Sequence, residues 1–125
     1  MTGETTGEKM TEKMTKKLKL PDIINIGPFP FELRPDAVAC AAGNVNGSMM
    51  ADSQVILLSP NNAKEAIQET LIHECLHAIW DKTYLGIKYP DTDNDSEGEL
   101  LIRTLAPYLL GLLKDNPELV KFFCH

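Results

Sequence analysis

Apolar residues sit two apart at Ile24 and Ile26 and at Phe29 and Phe31, and recur at spacings of four and seven at Ile67, Leu71 and Ala78. In "LPDIINIGPFPFELRP", residues 20–35, Ile24, Ile26, Phe29 and Phe31 supply strand-forming side chains, while Pro28, Pro30 and Pro35 exclude a helix. The pattern predicts an edge strand or a pair of short strands. The next stretch, "DAVACAAGN", is too short and too rich in small residues to assign, and Gly43-Asn44 ends it. "VNGSMMADSQVILLSP" reads as a hairpin, with turn signals at Asn46-Gly47 and Ala51-Asp52-Ser53 and a strand at Gln54–Leu58. That strand could offer an edge to an extended peptide.

From Asn62 the period lengthens. Asn62 is placed to cap a long helix with Glu65 as its capping-box partner, and Ile67, Leu71 and Ala78 recur at helical spacing. The helix is expected to end before Gly86. An acidic loop, "YPDTDNDSEGE", leads to a second helix, "ELLIRTLAPYLLGLLKD", in which Pro107 is expected to make a kink. Asn116 and Pro117 read as the cap and first residue of a short last helix, "PELVKFF". Strands first and helices second imply an α+β fold, a small antiparallel or mixed sheet on one side of the helices. Residues 1–17 are polar and repetitive and read as a disordered leader, leaving residues 18–125 as one domain.

Composition narrows this picture. Of 125 residues, 43% are hydrophobic, enough for a modest core without disulfides, and no apolar run approaches the ~18 residues of a membrane span. The N-terminus lacks the apolar centre of a secretory signal, so a cytoplasmic protein is expected. Cys40, Cys75 and Cys124 are odd in number and form no C-x-x-C pair, which suits free thiols in a reducing compartment. Residues 1–20 carry five lysines against three glutamates; the chain's −6 less this +2 leaves −8 on the rest. A body so acidic argues against a nucleic-acid partner.

Within the long helix lies "TLIHECLHAIW", an H-E-x-x-H motif. Four residues turn a helix by about 400°, so His73 and His77 project from one face, a turn apart. Both imidazoles can then reach one tetrahedral zinc ion. Glu74 is about 100° round from His73 and flanks the metal instead of binding it. There its carboxylate can act as general base towards water that the metal has made acidic. Without a metal, a buried helix would have to find other partners for all three polar groups.

Two histidines leave the site incomplete. The residues after His77, "AIWDKTYL", contain neither the Gly nor the third His of the metzincin pattern, so the third ligand must come from elsewhere. "SEGELLIRTLA" offers Glu97 and Glu99. Glu99 lies three before Ile102 and six before Leu105, towards the packed side of the second helix. The same residue could instead be the capping-box partner of Ser96. Asp91, Asp93 and Asp95 do not make an EF-hand loop, because Ser96 and Ile102 stand where Gly and Glu are required. They read as solvated loop charges. A single E-x-x-H excludes a di-iron bundle.

On "ETLIHECLHAIW", the short strand before it and "ELLIRTLAPYLLGLLKDNPELVKFF" after it, the chain resembles the small phage-type ImmA/IrrE-like zinc metallopeptidases of the gluzincin group, over roughly residues 22–123. In that family the zinc-binding glutamate lies seven residues before the alanine of the second-helix pattern. Counting back from Ala106, the resemblance implies Glu99. It further implies zinc held by His73, His77 and Glu99, Glu74 as general base, and a peptide or protein substrate. Tyr84, Tyr89 and Tyr108 are candidates for steadying the oxyanion. The rival expectation is a non-catalytic, zinc-stabilised binding or regulatory protein of phage or prophage origin. Its mark would be a closed coordination sphere, with His125 or a cysteine as fourth ligand.

Overall fold

The computed structural model describes residues 19–124; the expected leader at 1–17, and His125, lie outside them. Ile23–Ile26 (β1) and Phe29–Pro35 (β2) pair antiparallel across Gly27, whose φ of +57° is a conformation that favours glycine. Phe31 and Leu33 point inward between the exposed Glu32 and Arg34, the alternation of a strand with one face against the core. The short stretch left unassigned is a helix, Ala37–Ala42 (α1), whose cap is Asp36: its Oδ1 accepts from the Ala39 N–H at 2.9 Å.

Gly47–Met50 (β3) and Val55–Leu58 (β4) form the expected antiparallel hairpin. Strand order is β1-β2-β4-β3, with β2 and β4 parallel, so the sheet is mixed. This order corrects the reading of residues 54–58. β4 is an inner strand with both ladders used, Gln54 lies outside it at φ +52°, and the edge strands are β1 and β3. Val55 and Ile56 point to opposite faces and both are buried, as an inner strand requires.

Helix α2, Lys64–Lys82, packs on β3 and β4, and ends before Gly86 as expected. Its cap is Ala63, with no side-chain hydrogen bond; the Asn62 amide instead donates to Asn46 Oδ1 at 3.2 Å, tying the helix start to the β3 entrance. A single turn, Leu85–Lys88 (α3), follows. Helix α4, Glu97–Asp115, runs on through Pro107, which has no N–H to offer the Arg103 carbonyl. Pro117–Cys124 is α5.

Helix α2 is apolar on two sides. Ile67 and Ala78 join Phe31, Leu33, Ile56 and Leu58 in a core against the sheet. Leu76 and Trp80 join Ile102 and Ala106 in a second core against α4. Between these two sides α2 has a third, and the H-E-x-x-H residues lie along it. Among the described residues no helix is long and apolar enough to cross a membrane.

Candidate metal centre

His73 and His77 stand one turn apart on α2, and Glu99 reaches them from the first turn of α4. His77 Nε2 is 2.7 Å from Glu99 Oε2, His73 Nε2 is 3.1 Å from Glu99 Oε1, and the two Nε2 atoms are 3.2 Å apart. The three residues form a group that could hold a metal ion, their ligand atoms all within 4.8 Å of one another. Glu99 is buried, whereas Glu97 is exposed.

Ser96 does cap α4, its Oγ accepting from the Glu99 N–H at 3.3 Å. The carboxylate of Glu99 does not complete the capping box; the Ser96 N–H donates to the Asp93 carbonyl. Glu99 thus takes the cap through its backbone and meets the histidines through its side chain. The capping-box reading of the Glu99 side chain is thereby corrected: its carboxylate turns to the histidines and not to the Ser96 N–H.

Asp91, read from the sequence as a solvated loop charge, belongs to the centre. Its Oδ2 lies 2.7 Å from His77 Nδ1. A carboxylate only accepts, so the imidazole donates from Nδ1 and a neutral ring presents its Nε2 lone pair to Glu99. Two contacts fix the loop: Trp80 Nε1 donates to the Tyr89 carbonyl at 3.0 Å, and the Gly98 N–H to the Pro90 carbonyl at 2.9 Å. Gly98 is required here for space. A Cβ at that position would collide with the Tyr89 and Pro90 carbonyl oxygens.

Donor chemistry provides the test of fit. With Nδ1 of His77 committed to Asp91, the lone pair on its Nε2 faces a carboxylate oxygen at hydrogen-bond distance, and acceptor faces acceptor. A proton or a cation between them removes the conflict. The spacings of 2.7–3.2 Å are close to the ~3.3 Å between ligands of a tetrahedral ion with bonds of about 2.0–2.1 Å. A metal ion fits this donor set. Burial lowers the His73 pKa, against the pull of Glu99, and so favours the neutral ring a metal needs.

Glu74 sits beside the group without joining it. It is 8% exposed, and burial pushes its pKa up to about 7; the His77 charge lowers it and Glu99 raises it. The start of β3 crosses close to it. A Cβ on Gly47 would come within 2.6 Å of Thr70 Cγ2 and 3.4 Å of Glu74 Cγ, so only glycine lets the strand lie this near the helix.

These groups line a cleft of about 780 Å³, walled by residues 45–48 on one side, by α2 from Ala66 to His77, and by the loop from Asp91 to Asn94. The free edge of β3 borders it. Tyr84, Tyr89 and Tyr108 are not among its lining residues, and Tyr84 and Tyr108 are 70% and 79% exposed, so the tyrosines do not face the centre. No cysteine enters the group among the described residues; Cys40 is buried, Cys75 is partly buried and Cys124 is exposed. No protein-family model, curated protein or solved structure matches this chain.

Proposed function

We propose that the protein is a zinc-dependent peptidase in which His73, His77 and Glu99 hold the metal and Glu74 is the general base. One observation carries the reading: three ligand groups converge beside a fourth, buried carboxylate on the wall of a cleft bordered by a free strand edge. Two imidazoles and a carboxylate are a donor set that suits zinc and leaves one position open. Bound there, zinc would polarise a peptide carbonyl and acidify water. The resemblance to ImmA/IrrE-like metallopeptidases points the same way.

The chain's own groups have distinct tasks. Asp91 holds His77 in one tautomer, with Nε2 turned to the ligand position. Glu74, desolvated and titrating near neutrality, can take a proton from attacking water and return it to the leaving amine. The outer N–H and carbonyl groups of Gly47–Met50 can pair with an extended substrate, which places its backbone along the cleft.

The test has two parts. Elemental analysis should find about one zinc per chain, and His73→Ala or His77→Ala should abolish tight binding; full retention in both would overturn the site. Glu74→Gln should keep zinc and fold but lose cleavage of a degenerate peptide library, followed by mass spectrometry. Cleavage by this variant at the wild-type rate would overturn the mechanism. Zinc retention with no cleavage by the wild type would turn the reading to a metal-stabilised binding protein.

A further inference from the structure

The metal group occupies only part of the cleft, and the rest of the lining carries charge of one sign. Glu69 stands one turn before His73 on the same stripe of α2, about 6 Å along the helix axis, and lines the cleft. It is exposed and takes part in no ion pair among the described residues. Asp93, on the loop wall, is exposed too, and its Oδ1 accepts from the Asp95 N–H at 2.9 Å. With Glu74, Asp91 and Glu99 they make five lining carboxylates, and no lysine or arginine lines the cleft. Arg103 approaches Glu99 at 3.4 Å without being a lining residue. A divalent ion in the centre is matched by Glu99 and Asp91, which leaves Glu69 and Asp93 uncompensated in a concave wall that concentrates their field.

The edge of β3 fixes the form of what lies there. The Ser59 N–H donates to the Asn46 carbonyl at 2.8 Å, and the Leu58 carbonyl accepts from the Asp36 N–H on the other side of β4. By antiparallel alternation Ser48 and Met50 then bond to β4, while Gly47 and Met49 turn their N–H and carbonyl groups outwards. A recess of about 280 Å³ runs beside Gly47, Ser48 and Met49 past Glu74, His77 and Asp91. A chain extended on this edge advances about 3.3 Å per residue, so the turn between His73 and Glu69 corresponds to about two substrate residues.

Resting on the peptidase reading, we infer that the substrates are basic peptides, with lysine or arginine within about three residues of the cleaved bond and Glu69 as the residue that selects them. The cation is drawn to Glu69 and Asp93, whereas an acidic side chain at the same place meets repulsion from both.

The degenerate peptide library, cleaved by the zinc-loaded full chain, tests the substrate class. Lysine and arginine should be enriched around the cuts, and aspartate and glutamate depleted. Glu69→Gln should keep its zinc and reduce the enrichment about threefold, and Glu69→Lys should abolish it. Glu118→Gln, the same loss of charge on α5 and outside the cleft, should leave it unchanged. A separate binding measurement distinguishes failure of this inference from failure of the peptidase reading. Fluorescence anisotropy with zinc-loaded Glu74→Gln should give a lysine-bearing alanine peptide a Kd at least about tenfold below that of its glutamate-bearing copy, with the gap narrowing in high salt. If the wild type cleaves nothing, the peptidase reading falls while this preference still identifies the ligand. Equal affinity for the two peptides, cuts without basic enrichment, a preference that survives Glu69→Lys, or one lost equally in Glu118→Gln would each overturn the inference.

Discussion

The two sides of α2 that meet at Glu74 obey opposite rules. Towards the sheet, Ile67 and Ala78 are 2% and 0% exposed among other apolar groups, and each contact there favours the folded chain. Towards the cleft, His73, Glu74 and His77 are held close to Glu99 and Asp91, an assembly of polar groups that burial opposes. One side supplies stability and the other consumes it. A substitution on the first should weaken the fold, and one on the second should change binding while sparing or even strengthening the fold.

Phe31→Ala should break the apolar side most severely. Its ring is 0% exposed, and its loss should cost about 3–5 kcal/mol in urea unfolding. Any variant molecules that remain folded should still bind metal.

Glu74→Gln should act in the reverse direction in metal-free protein. The native pKa is raised from 4.5 to about 7, so the native state holds this proton more tightly than the unfolded chain does. The stabilisation is complete below about pH 4.5 and is lost as pH rises through 7. Above pH 7 the buried carboxylate destabilises, on the order of 2–3 kcal/mol. Glutamine does not ionise. Chelator-treated Glu74→Gln should therefore be more stable than wild type at pH 8, and a smaller or absent gain there would contradict the desolvation argument.

Asp91→Asn sharpens the comparison within the cleft side. An amide can donate as well as accept and no longer fixes the His77 tautomer, so metal affinity should fall about 10–100-fold with little loss of stability. Chelator competition measures it, and unchanged affinity would reduce Asp91 to a loop anchor. Glu97→Ala should have the smallest effect. It removes an exposed charge near the α4 N-terminus, worth ~0.3–1 kcal/mol, and should leave metal affinity at the wild-type value.

What could be read from the chain was what depends on near neighbours. The shared face of His73 and His77 follows from helical spacing, and the hairpin at 47–58 from its turn residues. Asp36 before "AVACAA" was a cap signal sufficient to mark α1, although the stretch is short. Asp91 could not be found this way. Its place depends on where the loop is pinned, by Trp80 from one helix and Gly98 from another, and an acidic loop otherwise looks solvated. The position of β4 was hidden for a related reason. Whether a strand is inner or edge depends on its partner, and β2 is some twenty residues away in the chain.

The sheet also bears on how quickly the chain can fold. β1 with β2 and β3 with β4 are two local hairpins, each closed by a short turn. Isolated hairpins of this kind form in about 1–10 μs. Their union is the parallel register that sets Glu32 beside Val55 and Leu33 beside Ile56, and it must close a much longer loop. That joining is the expected slow step. Shortening Leu33 or Ile56 should slow refolding, while changes in α4, which docks on α2, should mainly hasten unfolding.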